Sequence, residues 1–273
     1  MNITISTQPE TYSQLLSRSW ALYQVAFSRV LLLAVLLVAF AFFPRFLSVF
    51  TGEAIFTLFP INSLKRFWLL FFDLLAITCF TAMIWRMHCI ILKKHEPYQE
   101  DFYVGLRKLF PIFAAALIQG MVVLLMGLAV LELEKWFIVR PFTLENKLFL
   151  YFLFLAQGLL IIYIYLFCYF YFPLIAIENK GIIASLLRSV FLVWHNLWRT
   201  LSVQVTPWLC YLALLLLIRS SLGVNIHIYF LETGIPTWWL VLIQAILFTV
   251  FIPWVAATLL VQLHDLELRK HVA

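Results

Sequence analysis

The feature that constrains this chain most is a set of long apolar runs without a single Lys, Arg, Asp or Glu. Leu109–Leu131, Leu148–Ile177, Thr200–Ile218 and Thr233–His264 are all of this kind. A helix rises about 1.5 Å per residue, so a hydrocarbon core of about 30 Å is crossed by about 20 residues. Two shorter runs, Val30–Pro44 and Leu74–Trp85, reach that length with help. The first extends past Pro44 toward Phe50 if Arg45 snorkels to the headgroups. The second lies inside Phe67–Leu92 and carries Asp73, Arg86 and His88 within the membrane. The expected spans are therefore 28–49, 67–92, 109–131, 148–177, 200–218 and 238–263. A transmembrane barrel would need strands of about 10 residues that alternate apolar with polar. Unbroken apolar runs leave the helix as the element that satisfies its own backbone in lipid. The fold class is all-α: a polytopic membrane protein with six transmembrane helices in one integral membrane domain, 1–273.

Composition excludes the competing classes. Hydrophobic residues make up 64% of the chain and charged residues 12%, against roughly 45–50% and 25% in soluble domains. Disorder is excluded because its signature is the reverse. The net charge of +6 fits Lys and Arg held in cytoplasmic loops beside anionic lipid. Lys93-Lys94 and Arg107-Lys108 are pairs, not nucleic-acid arms, so no nucleic-acid partner is expected. Six spans put both termini on one face. That face carries eleven Lys and Arg and the opposite face seven, which places the termini in the cytoplasm. Cys79, Cys89, Cys168 and Cys210 lie in apolar runs and are expected to pack rather than form disulfides. The first 28 residues are too polar for a cleaved signal peptide.

The chain also repeats. Leu16-x-Arg18-Ser19-x-x-Leu22 and Arg29-x-Leu31 return 170 positions later as Leu186-x-Arg188-Ser189-x-x-Leu192 and Arg199-x-Leu201. With a weaker echo near Tyr103–Ala114, this divides the chain into three units of about 85 residues, 8–92, 93–177 and 178–265. Each is expected to be an amphipathic helix followed by two spans. Thr7-Gln8-Pro9-Glu10 fits a capping box at the first of these helices. Gly181 after Lys180 fits a glycine cap ending span four. The stretch 181–199 is expected as an interfacial helix, with arginines toward lipid phosphate.

The segment after span four is the most distinctive. It runs from Pro173 through Gly181-Ile182-Ile183-Ala184-Ser185 to Ser189-x-x-Leu192-x-Trp194-x-Asn196. It resembles the YciC-like family of bacterial inner-membrane proteins, which carry this segment after a Pro-containing span. The resemblance implies an inner-membrane location and a six-span layout, and it supplies no reaction.

Candidate site residues follow from the cost of polar groups in lipid. Asp73, Arg86, His88, Gln157 and Gln244 are the intramembrane candidates. Asp73 and Arg86 are thirteen residues apart, about 20 Å along a helix, so they do not pair on one straight helix. Tyr163, Tyr165, Tyr169 and Tyr171 need hydrogen-bond partners, for which Gln204 and Gln244 are candidates. Arg18, Arg29, Arg188 and Arg199 are candidate interfacial lipid contacts. His88-Cys89 lacks a second ligand one turn away, so no metal is expected. Glu132, Glu134 and Glu145 read as a solvated outer loop, and no nucleophile motif or phosphate loop is present. Ala116, Gly120, Val123 and Gly127 line one helix face for close packing. The sequence favours a non-catalytic membrane protein that binds lipids, other inner-membrane proteins or a second copy of itself, without a cofactor. A transporter or channel for a small solute, ion or lipid is the alternative.

Overall fold

The computed structural model describes residues 8–52, 65–94, 97–138, 144–178, 181–222 and 237–272. Among them are eight helices and no strand: α1 (Tyr12–Thr51), α2 (Lys65–Ile91), α3 (Tyr98–Ile138), α4 (Leu144–Cys168), α5 (Tyr171–Glu178), α6 (Ile182–Trp194), α7 (Leu197–Leu222) and α8 (Trp238–Val272). Six stretches are long and apolar enough to cross a membrane: Tyr12–Thr51, Phe67–Ile91, Tyr98–Glu132, Tyr151–Glu178, Leu197–Ser221 and Trp238–Lys270. Each contains or overlaps one expected span, so the chain is a multi-pass, all-α membrane protein. The chain divides into two compact units, residues 1–109 with 201–273, and residues 110–200.

In the first unit α1 packs against α2 and α8. It starts at Thr11, whose N–H donates to Gln14 Oε1 at 2.9 Å. It ends at Gly52, whose φ of 70° lets its N–H return to the Ser48 carbonyl at 3.0 Å. That is the left-handed cap that glycine adopts without strain. The helix start thus lies four residues beyond the expected box, and Thr7 lies outside the described residues. No Gly or Pro interrupts residues 12–43, and the amphipathic stretch continues into the span as one 40-residue helix. The same fusion occurs in α3, which is 41 residues long. Glu132 lies in helix α3 and Glu145 in helix α4, not in an outer loop.

Helices α1 and α8 do not form a straight antiparallel pair. The Glu10 N–H donates to Asp265 Oδ1, and Arg45 Nη1 donates to Gln244 Oε1. These contacts enclose 35 residues of one segment and 21 of the other. The excess, about 21 Å of helical rise, requires a change of direction that side-chain reach alone does not supply.

The second unit holds the longest break in helicity within an expected span. The stretch 148–177 is not one helix: α4 stops at Cys168, Tyr169-Phe170 form a turn, and α5 begins at Tyr171. Pro173 favours the break, although Pro44, Pro111, Pro207 and Pro253 lie inside unbroken helices. Pro173 has no N–H for the carbonyl of residue 169, and its ring crowds that carbonyl. After α5, Gly181 does not end a helix. With φ −62° and ψ 157° it is the N-cap of α6.

Candidate functional site

The polar side chains buried within the first unit meet in pairs. Arg45, expected to snorkel, is instead 3% exposed. Its Nη1 donates to Gln244 Oε1 at 2.6 Å, and its guanidinium carbon lies 5.4 Å from the Phe42 ring centre. A partly apolar, weakly hydrated guanidinium is the cation best suited to such a place. Gln204 Nε2 donates to Gln262 Oε1 at 2.5 Å, both buried. Gln244 and Gln204 therefore tie helices of this unit together. Tyr163 and Tyr165 are exposed and Tyr171 is buried.

Arg86 forms an ion pair with Asp101, and its guanidinium stacks 4.5 Å from the Tyr98 ring centre. Both charges are buried, where an ion pair is tolerated only with well-satisfied geometry. Gly105, one turn beyond Asp101, makes this approach possible. A Cβ there would lie 2.6 Å from the Thr78 carbonyl oxygen, closer than any real contact. His88, half-buried, lies 6.0 Å from Trp85 between ring centres. Asp73 is exposed on the surface of α2, so the structure does not bring it to Arg86 or Gln244.

The two ends of the described chain are clasped. Asp265 Oδ1 accepts the Glu10 N–H at 2.7 Å, and Asp265 Oδ2 accepts Arg269 Nε at 3.0 Å. Arg269 Nη2 donates to the Glu10 carbonyl at 2.6 Å. Arg18 Nη2 lies 2.7 Å from Glu10 Oε1. Glu10 and Arg269 thus share one face, as an even number of spans requires.

In the second unit, α6 repairs the broken span. Phe170 N–H donates to Ser189 Oγ at 3.0 Å, and the Ser189 hydroxyl donates to the Phe167 carbonyl at 2.6 Å. One hydroxyl thereby serves a donor and an acceptor on the two sides of the turn, which lipid would leave unsatisfied. Arg188 Nη1 lies 2.5 Å from Glu178 Oε2. Trp194 stacks on Phe167 at 5.4 Å. Asn196 then occupies the N-cap position of α7, its carbonyl accepting the Thr200 N–H at 2.8 Å. Ser189, Trp194 and Asn196 of the distinctive segment therefore have identifiable structural roles.

The interfacial candidates separate into two kinds. Arg18 and Arg188 are each bound to a glutamate. Arg29 is exposed, and Arg199 is half-buried just inside α7. Gln157 is half-buried on α4, its amide 3.7 Å from where a Cβ on Gly127 would stand. Gly120, on the same small-residue stripe, faces nothing within 4 Å. Sequence reading missed Asp101, the partner of buried Arg86, and Asp265, which accepts the Glu10 N–H and pairs with Arg269. Their local signal is a carboxylate inside or beside a span. No family model, curated protein or solved structure matches this chain.

Proposed function

We propose that this is a non-catalytic protein of the bacterial inner membrane, with both termini in the cytoplasm, that works by binding. Its ligands are membrane lipids and, through its apolar flanks, other inner-membrane proteins or a second copy of itself. The observation that carries this reading is the pairing of the buried polar side chains across helices: Arg45 with Gln244, Arg86 with Asp101, Gln204 with Gln262. Groups so engaged fasten helices. A solute path needs polar groups facing a common aqueous space. The likeness of residues 173–196 to the YciC-like family supports the location, and the excess of Lys and Arg on one face supports the orientation.

Proteoliposomes loaded with a pH-sensitive dye test the reading under an imposed proton or potassium gradient. The wild type and Asp73→Asn are expected to hold the gradient as long as empty vesicles do. Faster dissipation by the wild type, abolished in Asp73→Asn, would establish a transport path instead.

A further inference from the structure

A concave space opens in the first unit between α1, α7 and α8. Its volume is about 370 Å³, and Trp20, Tyr23, Cys210, Val250, Phe251 and Trp254 line it. Ligand sites run from about 300 to 1,000 Å³ and are mostly apolar. The wall is built from rings in contact. Trp20 meets Tyr23 at 4.9 Å and Trp254 at 5.1 Å, and Trp254 meets Phe251 at 6.1 Å. The Trp254 indole N–H, which would otherwise make the wall polar, is turned to Ser19 Oγ at 3.3 Å. Trp20, Cys210 and Val250 are exposed at the rim, so the space is open on one side.

Two facts say what fills it. Cys210 and Val250 lie inside the charge-free runs Thr200–Ile218 and Thr233–His264, so the opening faces hydrocarbon, where acyl chains are the solvent. Arg18, paired with Glu10, stands two residues before Trp20, about 3 Å of helical rise, and Arg269, paired with Asp265, stands fifteen residues beyond Trp254, about 22 Å. Arg18 and Arg269 each leave about 30% of their side chains exposed. A phosphate beside Arg18 would let an ester-linked chain enter the space at its Trp20 rim.

We propose that this space is a binding site for one acyl chain of a membrane phospholipid, entering from the leaflet on the side of the clasped termini. The proposal rests on the lipid-binding reading above and specifies its site. It gives the repeated Arg18-Ser19 segment a use on α1: Ser19 turns the Trp254 N–H away, and Arg18 stands at the charged end.

The test is phospholipid retained by the purified full chain through detergent washing, counted by native mass spectrometry. Cys210→Phe and Val250→Phe each fill the space, and Leu217→Phe, exposed on the same α7 helix, is the control. Retention is expected to fall roughly tenfold or more in both filled variants, a factor equal to about 1.4 kcal/mol of binding, and to hold in the control. A second reading needs no filled variant. Maleimide labelling of wild-type Cys210, with Cys210→Ser as background, is expected to slow when phosphatidylglycerol vesicles replace detergent. Equal retention in all variants, or labelling indifferent to phospholipid, overturns the site. Protection by free fatty acid equal to that by phospholipid overturns the choice of ligand. None of these outcomes touches the gradient experiment, so the site and the broader reading fail separately.

Discussion

The start of α1 and the helix α6 are two answers to nearly the same sequence. Leu15, Ser19, Leu22 and Tyr23 are buried on the first, and 170 positions on Ser185, Ser189, Leu192 and Val193 are buried in the second. In both, the arginine of the repeat binds a glutamate upstream, Glu10 for Arg18 and Glu178 for Arg188. In both, the serine hydroxyl donates to a backbone carbonyl, Leu16 for Ser19 and Phe167 for Ser189. The register breaks at one place. Ala26 is fully buried, whereas its counterpart Asn196 is half-buried at an N-cap. The helix with alanine there runs on for 25 more residues, to Thr51, and the helix with asparagine ends two residues before it. The repeated pattern marks which face is buried in each segment, and the two part where alanine is replaced by asparagine. Alanine is the best helix former, and asparagine is preferred at N-caps.

Exchanging those two residues gives the largest expected effect. Ala26→Asn puts an amide into a site with no exposure and no room. Its polar burial and overpacking together cost about 2–4 kcal/mol, seen as a lower unfolding temperature in micelles. Asn196 holds the start of α7 through its backbone carbonyl, so Asn196→Ala is also expected to destabilise, but by less, under about 1 kcal/mol. Hydrogen exchange should then slow at residues 195–197 as α6 and α7 begin to join. Equal costs for both exchanges would mean that burial, not capping, separates the two segments.

The serines come next. Ser189→Ala leaves the Phe170 N–H and the Phe167 carbonyl without their partner at a break inside a span, at about 1–3 kcal/mol. Ser19→Ala removes a bond to a carbonyl of its own helix, which has other support, and one from Trp254, at about 0.5–1.5 kcal/mol. Faster exchange at Phe170 in Ser189→Ala is the specific readout. If the two variants unfold at the same temperature and Phe170 is unchanged, the hydroxyl does not hold the break together.

These expectations mark where the fold was legible in the sequence. The six spans were, because the thickness of a hydrocarbon core translates directly into run length. The break at Tyr169-Phe170 had a signal in Pro173, whose effect falls four residues upstream. The fusion of the amphipathic stretch with the first span fits the absence of Gly and Pro before Pro44, but α3 fuses in the same way across Gly105 and Pro111. The contacts between distant helices had little such signal. Asp101 is 15 residues from Arg86, and the Glu10 N–H that Asp265 accepts is 255 residues away, far outside the three- and four-residue spacings at which helix neighbours can be read; of these contacts only Asp265 with Arg269 keeps a four-residue spacing. Arg45 was expected at the headgroups, because its acceptor Gln244 comes from a helix 199 residues away.

The arginines give the smallest effect and the finest discrimination. Both pairs are partly exposed, so each is worth less than about 1 kcal/mol. They differ in the carboxylate. The side chain of Glu10 is 7% exposed and that of Glu178 is 21%. Arg18→Gln removes an ion partner from the more buried acid, while Arg188→Gln removes one from an acid that water reaches more easily. The unfolding temperature is therefore expected to fall more for Arg18→Gln. Raising the salt to about 1 M, where the screening length is about 3 Å, should erase the Arg188→Gln deficit and leave part of the Arg18→Gln one. If salt erases both equally, the two ion pairs are the same surface interaction, and the α1 segment differs from α6 only through Ala26 and Asn196.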